Sequence, residues 1–198
     1  MKTGIFGGTF DPIHNAHLRV AESVRELAGL DRILFVPTGN PPYRATYAPV
    51  QARAEMVRLA LAGHTDFELD TTELELPEPV YTADAIRALR AKYPNDELFF
   101  IAGADSLAKT PWRRLDEVAE QLQRFIIVGR PGVADQSVDD VLKSVPAALR
   151  SRFARVDLAP IDISASEIRA RVREGKSISR LTPPAVAEYI EKNGLYRS

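Results

Sequence analysis

Residues 3–17, TGIFGGTFDPIHNAH, contain the element that decides how the chain begins to fold. Residues 3–6 read as a short strand, and residues 15–28 carry apolar side chains at helical spacing. Between the two lies a turn built on Gly7 and Gly8. Such a turn into a helix start favours anion binding, because glycine lets backbone N–H groups approach a ligand and the helix dipole favours negative charge. The spacing matches neither the dinucleotide-binding glycine pattern nor a Walker loop.

The rest of the chain repeats this alternation of strand and helix. Further strands are predicted at residues 32–36, 98–102, 125–128 and 153–158, with a partly exposed one at 67–76. Further helices are predicted at residues 50–62, 82–92 with Thr82 as N-cap, 138–149 with an interruption near Pro146, 164–174 and 184–192. The alternation predicts an α/β fold, a doubly wound parallel sheet with helices on both faces. We expect a single domain over residues 1–198, with a small C-terminal helical part over about 160–198.

The amino-acid composition excludes several classes of function. The 26 Lys and Arg nearly balance the 27 Asp and Glu, and a net charge of -1 argues against a nucleic acid polymer as partner. The absence of cysteine excludes disulfides, thiolate zinc sites and a cysteine nucleophile. No apolar run approaches the ~20 residues of a membrane span, and the N-terminus lacks a signal-peptide pattern. We therefore expect a cytoplasmic protein that does not bind a membrane.

Two of the three histidines, His14 and His17, stand at positions i and i+3 of the first helical turn, so both can point the same way. They could cap the helix, lie exposed, bind a metal or donate hydrogen bonds to phosphate oxygens. Asp11 alone would complete a metal site poorly, so no metal site is predicted. Their place beside the glycine turn favours phosphate contact. His64 follows a helix-ending glycine and is predicted to be a surface residue.

Charge is unevenly distributed despite the near-zero sum. Residues 66–78 carry six acids and no base, whereas residues 164–180 carry five bases and two acids. A charge run is usually a solvated helix face. The proline-rich residues 37–49 form the clearest long loop, which is either a lid over a site or a variable surface loop.

Taken together, the motifs resemble those of the nucleotidyltransferase superfamily. GGTFDPIHNAH at residues 7–17 is similar to its H-x-G-H or T-x-G-H element, and ISASEIR at 163–169 to its I-S-x-T/S-x-x-R element. Other stretches resemble the bacterial nicotinate mononucleotide adenylyltransferases: PTGNPPYR at 37–44, YT at 81–82, GADSL at 103–107, PW at 111–112 and VGRPG at 128–132. The resemblance covers essentially the whole chain and implies a Rossmann-like fold. Two departures are Ala16 in place of the usual glycine and Tyr43-Arg44 in place of His-Lys.

The resemblance implies a reaction. AMP would pass from ATP to nicotinate mononucleotide, giving nicotinate adenine dinucleotide and pyrophosphate, by in-line attack without a covalent intermediate. This is a step of NAD biosynthesis, with Mg²⁺ bound mainly through the ATP phosphates. The alternatives are an adenylyltransferase that prefers nicotinamide mononucleotide or another acceptor such as phosphopantetheine, and a non-catalytic nucleotide-binding regulatory module. A homo-oligomer is left open.

The resemblance also implies roles for single residues. His14 and His17 would be catalytic, through contacts with phosphate. The ATP site would comprise Gly7, Gly8, Thr9, Phe10, His17, Gly103, Asp105, Ile163, Ser164, Ser166 and Arg169. The mononucleotide site would comprise Thr82, Trp112, Arg44 and Arg130. Structural alternatives stay open, since Asp105 could cap a helix, Trp112 could be a core aromatic and Arg130 could brace a loop. Arg171 and Arg173 are expected at the surface.

Overall fold

The structure is a computed structural model and describes residues 1–39, 45–109, 112–129 and 136–197. The strands in these residues are β1 (Lys2–Gly8), β2 (Arg32–Pro37), β3 (Phe67–Leu69), β4 (Glu97–Gly103), β5 (Arg124–Gly129) and β6 (Phe153–Asp157). They form one parallel six-stranded sheet of order β3-β2-β1-β4-β5-β6. The order reverses direction between β1 and β4, which confirms the doubly wound, Rossmann-like fold.

The crossovers between these strands are mainly helical. The helices are α1 (Asn15–Ala28), α2 (Val50–Ala60), α3 (Thr82–Lys92), α4 (Ala104–Lys109), α5 (Leu115–Gln121), α6 (Gln136–Lys143), α7 (Ala147–Arg150), α8 (Ala165–Arg173) and α9 (Pro184–Lys192). The predicted bounds of α1, α3 and α9 are confirmed. The interruption near Pro146 is also confirmed, since it separates α6 from α7. Gly29 ends α1 at a φ of 61°, in the left-handed region that glycine adopts without strain.

Hydrophobic residues bury both faces of the sheet. On one face, side chains such as Phe6 and Phe35 pack against α1, α2, α8 and α9. On the other face, side chains such as Ile5 and Phe100 pack against α3, α4, α5 and α6. Burial on both faces explains why residues 98–102 of β4 and 125–128 of β5 are continuous apolar runs.

Two local predictions are wrong. The strand predicted at residues 67–76 ends at Leu69, and Thr72–Glu75 forms a 3-10 helix instead. The buried Asp70 accounts for this end, because its Oδ1 accepts the Thr72 N–H at 2.8 Å and turns the chain. Thr82 is the first residue of α3 and not its N-cap. Tyr81 occupies the N-cap position, and the Tyr81 N–H donates to Asp84 Oδ2 at 3.3 Å. The division into one domain with a C-terminal helical part stays a prediction.

Candidate active site

A cavity of about 540 Å³ opens at the carboxyl ends of β1 and β4, where the strand order reverses. Open α/β sheets bind ligands at this switch point. A second cavity of about 290 Å³ adjoins it and shares Ala16, Gly103 and Asp105 in its wall. Together they are large enough for nucleotide-sized ligands.

Most of the predicted site residues share the wall of the larger cavity. These are Gly7, Gly8, Thr9, Phe10, His14, His17, Thr82, Gly103, Asp105, Trp112, Ile163, Ser164 and Arg169. Ser166 stands beside this wall, with its hydroxyl 3.1 Å from that of Ser164. Arg44 and Arg130 lie outside the described residues.

The turn after β1 is tightly built. A Cβ on Gly8 would lie 3.0 Å from the ring of Phe10, so only glycine fits there without movement. Phe10 itself has a φ of 47°, a left-handed conformation that costs a non-glycine residue about 1 kcal/mol. The Phe10 ring is buried among Phe6, Phe35 and His17, and this packing holds the turn. A rigid turn presents its backbone groups to a ligand at fixed positions.

His14 and His17 stack on one another at the start of α1. Their ring centroids are 3.7 Å apart and the ring planes are 18° from parallel. The His14 backbone N–H donates to Nδ1 of His17 at 3.2 Å. Because this nitrogen accepts a hydrogen bond, a neutral His17 carries its proton on Nε2. His17 is therefore set to donate through Nε2.

Both histidines are held neutral at physiological pH. Burial lowers the pKa of His14 to about 4. The pKa of His17 also lies well below its ordinary value, first because of desolvation and then because of repulsion from His14. A polyphosphate bound here would oppose both effects, since an adjacent anion favours the charged imidazolium.

The second motif meets the first in this cavity. Arg169 of α8 is buried, and its Nη1 donates to the carbonyl oxygen of Asp11 at 2.7 Å. Its guanidinium also lies 4.0 Å from the ring centroid of Tyr47. Ser164 caps α8, with its hydroxyl accepting the Glu167 N–H at 3.2 Å. A cation and a helix N-terminus therefore stand beside the histidine pair, an arrangement suited to phosphate.

Trp112 and Thr82 lie in another part of the same wall. The Trp112 ring makes edge contacts with Phe100 and Phe125, at centroid distances of 6.0 and 5.5 Å. Its Nε1 is buried and has no hydrogen-bond partner among the described residues. Trp112 is thus packed on the core, as its structural alternative predicted, and it also borders the cavity.

The sequence analysis did not find the residues that support the turn from behind. The buried carboxylate of Asp11 accepts the Tyr196 O–H at 2.7 Å and the N–H groups of Tyr47 and Ala48 at 2.6 and 3.1 Å. Burial and the bond to Asp11 both raise the pKa of the Tyr196 phenol. These contacts join residues far apart in the chain, so no local pattern reveals them.

Arg53 is a second residue missed in this way, and its side chain is fully buried. Its Nη1 donates to the carbonyls of Thr9 and Thr38, both at 2.7 Å, and its Nη2 donates to the Gly39 carbonyl at 2.6 Å. One signal was present in the sequence. Arg53 stands three and four residues before Met56 and Val57, on the apolar stripe of α2. A charged residue on such a stripe must find internal partners.

Among the described residues, no group of three or more His, Asp or Glu side chains is placed to hold a metal ion. No helix in these residues is both long and apolar enough to cross a membrane.

Comparison with known proteins places the chain in a family. A family model described as cytidylyltransferase-like matches residues 5–171. The chain belongs to the cytidylyltransferase-like family. Over the full length, this family member is 41% identical to the nicotinate-nucleotide adenylyltransferase of Bacillus subtilis, of which it covers 99%. It is 40% identical to a probable nicotinate-nucleotide adenylyltransferase of Thermus thermophilus, with complete coverage of both chains. The resemblance to the nucleotidyltransferases that was predicted from residues 7–17 and 163–169 is confirmed.

Solved structures agree on the fold of this cytidylyltransferase-like protein. It superposes on a Plasmodium falciparum nicotinic acid mononucleotide adenylyltransferase complexed with NaAD with a TM-score of 0.76, at 21% identity, covering 99% of this chain and 98% of that one. The same Plasmodium enzyme complexed with APC gives a TM-score of 0.74 at 22% identity. At this identity the likeness establishes the shared architecture.

Proposed function

We propose that this chain is a nicotinate-nucleotide adenylyltransferase that transfers AMP from ATP to nicotinate mononucleotide. The observation that carries the proposal is the 2.7 Å hydrogen bond from Arg169 to the Asp11 carbonyl, which brings the two nucleotidyltransferase motifs into one cavity. The full-length relatives named for this activity support it.

The proposed reaction needs no group from the protein to form a covalent bond. An oxygen of the mononucleotide phosphate attacks the α-phosphorus of ATP, and the bond from that phosphorus to the bridging oxygen breaks as pyrophosphate leaves. The protein then contributes by positioning the two substrates and stabilising charge.

The roles proposed for the phosphate-facing residues are those that the resemblance implies, and their positions in or beside the cavity support them. His17, with its proton on Nε2, donates to the α-phosphoryl or bridging oxygen, where negative charge develops. His14 contacts the mononucleotide phosphate or the reacting group. Ser164, Ser166 and Arg169 hold the β- and γ-phosphates at the start of α8.

The remaining residues divide between the two nucleosides. Gly7, Gly8, Thr9 and Phe10 line the nucleotide, together with Ile163. Gly103 and Asp105 follow β4, and Asp105 binds the ribose hydroxyls of ATP. Trp112 stacks on the pyridine ring, and Thr82 receives its carboxylate with nearby backbone N–H groups. Arg44 and Arg130 are proposed to contact the mononucleotide.

Three further expectations accompany the proposal. ATP is used as its magnesium complex, since Mg²⁺ binds mainly through substrate phosphates and keeps several waters. The protein is cytoplasmic. A homo-oligomer is left open, and light scattering after size-exclusion chromatography measures it directly.

Acceptor competition tests the proposed function. Purified protein with ATP and Mg²⁺ is given equal amounts of nicotinate and nicotinamide mononucleotide, and both dinucleotides are quantified. We expect the nicotinate product to predominate. Lack of any dinucleotide, or a tenfold or greater preference for the amide, would overturn the assignment; the second result would favour nicotinamide mononucleotide as the acceptor.

A further inference from the structure

The buried side chain of Arg53 and the carboxylate of Glu73 contact the same peptide group, Thr38–Gly39, at the edge of the cavity. The carbonyl of Thr38 accepts a hydrogen bond from Arg53 Nη1 at 2.7 Å. On the other side of the same peptide, the Gly39 N–H lies close enough to the Glu73 carboxylate to oppose the rise in its pKa. Carbonyl and N–H point in opposite directions in a trans peptide, so Arg53 and Glu73 hold this group from its two ends.

Arg53 also joins this peptide to the glycine turn. The same guanidinium binds the Thr9 carbonyl, and the Thr38 N–H donates to the Gly8 carbonyl at 2.9 Å. The turns after β1 and β2 are therefore fixed to each other by one side chain. In the described part of the chain, the hydrogen bonds of this guanidinium all go to backbone carbonyls, the fourth being that of Ala48 at 3.3 Å. Its planar fork suits this arrangement better than a lysine would.

Glu73 lies on the 3-10 helix at Thr72–Glu75, on its cavity side. It borders the larger cavity, whereas Glu75 on the same 3-10 helix is exposed. Burial raises the pKa of the Glu73 carboxyl to about 7, with the Gly39 N–H and the charge of Arg53 opposing that rise. The 3-10 helix packs against both β2 and α3, and α3 begins at Thr82. Glu73 therefore lies on the side of the cavity that is proposed to bind nicotinate mononucleotide.

The side chain of Thr38, next to this peptide, has a polar atom without a hydrogen-bond partner among the described residues. Thr38 borders the cavity, and its Oγ1 is buried without a hydrogen-bond partner among the described residues. Buried hydroxyls normally find partners, so an unpartnered one in a cavity wall points to a ligand atom. The orientation of Thr38 depends on the peptide that Arg53 and Glu73 hold.

We propose that Arg53 and Glu73 are positioning residues that hold the Thr38–Gly39 peptide in place. They thereby fix the geometry of the part of the cavity that binds nicotinate mononucleotide. This inference rests on the proposed function. Arg53 acts on both substrates, because it also fixes the Thr9 carbonyl beside the ATP site. Glu73 acts mainly on the mononucleotide, because its backbone contact is with Gly39, in the turn after β2.

The kinetics of Glu73 variants test the proposal. Each substrate is varied at saturating concentration of the other, with Glu75→Ala as the matched control. We expect Glu73→Ala to raise the KM for nicotinate mononucleotide about tenfold, with kcat and the KM for ATP within about twofold. Glu73→Gln should remain close to the wild type, since its amide oxygen can still contact the Gly39 N–H. Arg53→Lys should raise both KM values.

Several outcomes would overturn the positioning role. One is a Glu73→Ala enzyme that matches Glu75→Ala in both KM values. Another is an equal rise in both KM values with a lowered melting temperature, which is the signature of a purely structural role. A Glu73→Gln enzyme as impaired as Glu73→Ala would overturn the contact with the Gly39 N–H as its basis.

Two controls separate the remaining explanations. If Glu73→Ala does not fold, Thr38→Val replaces it; a selective rise in the mononucleotide KM supports the proposal, and unchanged kinetics overturn it. Wild-type protein that makes no dinucleotide would overturn the proposed function and the positioning role together. An active wild type with insensitive Glu73 variants would overturn the positioning role alone.

Discussion

The two ends of the parallel sheet differ in how completely their polar side chains are partnered. At the amino ends, Arg32 binds both oxygens of Glu68 at 3.0 and 3.1 Å, Asp96 at 3.0 Å and the Thr3 hydroxyl at 3.1 Å. Thr3 in turn donates to Asp96 at 2.7 Å. The ring of Tyr93 lies 4.9 Å from the guanidinium. Every member of this amino-end network has a partner within the protein.

The carboxyl ends combine partnered groups, such as Asp11 and Arg53, with groups that have no partner within the described ranges. Four buried side-chain polar atoms lack a hydrogen-bond partner among the described residues, and three of them belong to residues that line the larger cavity: His14 Nδ1, Thr38 Oγ1 and Trp112 Nε1. Leaving such a group unpaired costs about 1–3 kcal/mol. Groups that satisfy one another stabilise the fold, whereas groups kept without partners are available to a ligand. Substitutions at the two ends of the sheet test this division.

Removing the proposed donor at the carboxyl end should have the largest effect. We expect His17→Ala to lower kcat about 100- to 1,000-fold, because it removes a hydrogen-bond donor from the charge that develops in the reaction. The protein should still fold, although losing the packing of His17 on Phe10 lowers the melting temperature. His64→Ala is the control, since His64 is exposed and stacks on Phe67 away from the cavity. Unchanged turnover in His17→Ala would contradict the assignment.

The neutral histidines should make the carboxyl end sensitive to acid. The pKa of folded His14 is about 4 against an ordinary 6.5, so between these values the unfolded chain binds more protons. The free energy of unfolding therefore falls as the pH drops below 6.5, and His14 accounts for about 2–3 kcal/mol of that loss by pH 4.5.

Denaturant titrations from pH 7.5 to 4.5 check this dependence. His14→Gln serves for comparison, because it retains the carboxylates that also respond to acid and removes the imidazole. We expect its unfolding free energy to fall less steeply with pH than that of the wild type. Parallel curves for the two proteins would contradict the neutral, buried state of His14.

Breaking the amino-end network should affect stability without affecting catalysis. We expect Arg32→Met to lower the free energy of unfolding by about 1–3 kcal/mol, since it leaves Asp96 and Thr3 without their cation. Both KM values and kcat should stay within about twofold of the wild type. Arg58→Met removes an exposed ion pair with Glu55 and should change neither quantity measurably. If Arg32→Met lowered kcat or raised KM as much as a substitution in the cavity does, the functional difference between the two ends of the sheet would be contradicted.

Local patterns predicted most of the fold. Apolar periodicity together with end signals such as Gly29 located α1, and the continuous apolar runs located the buried strands. The strand predicted at residues 67–76 failed because alternation of acids with apolar residues mimics a half-exposed strand. There, Asp70 turns the chain through a local hydrogen bond, and Glu73 faces inward.

Most of the predicted site residues lie around one cavity, but the residues that support them were not predictable. His14, Gly103 and Arg169 all reach one cavity, since the carboxyl ends of parallel strands share an edge. Arg53 and Tyr196 were missed, because their importance lies in contacts with carbonyls and a carboxylate from distant segments. Only the fold creates those contacts.

The bond between Tyr196 and Asp11 has a consequence for the order in which the site can form during protein synthesis. It joins residues 185 positions apart. A ribosome releases Asp11 early and Tyr196 late, so a nascent chain that already contains the glycine turn and both histidines still lacks one of the donors to Asp11. Contacts of such long sequence separation form late in folding. The phosphate-facing turn therefore acquires its last hydrogen bond only when almost all of these residues have been translated.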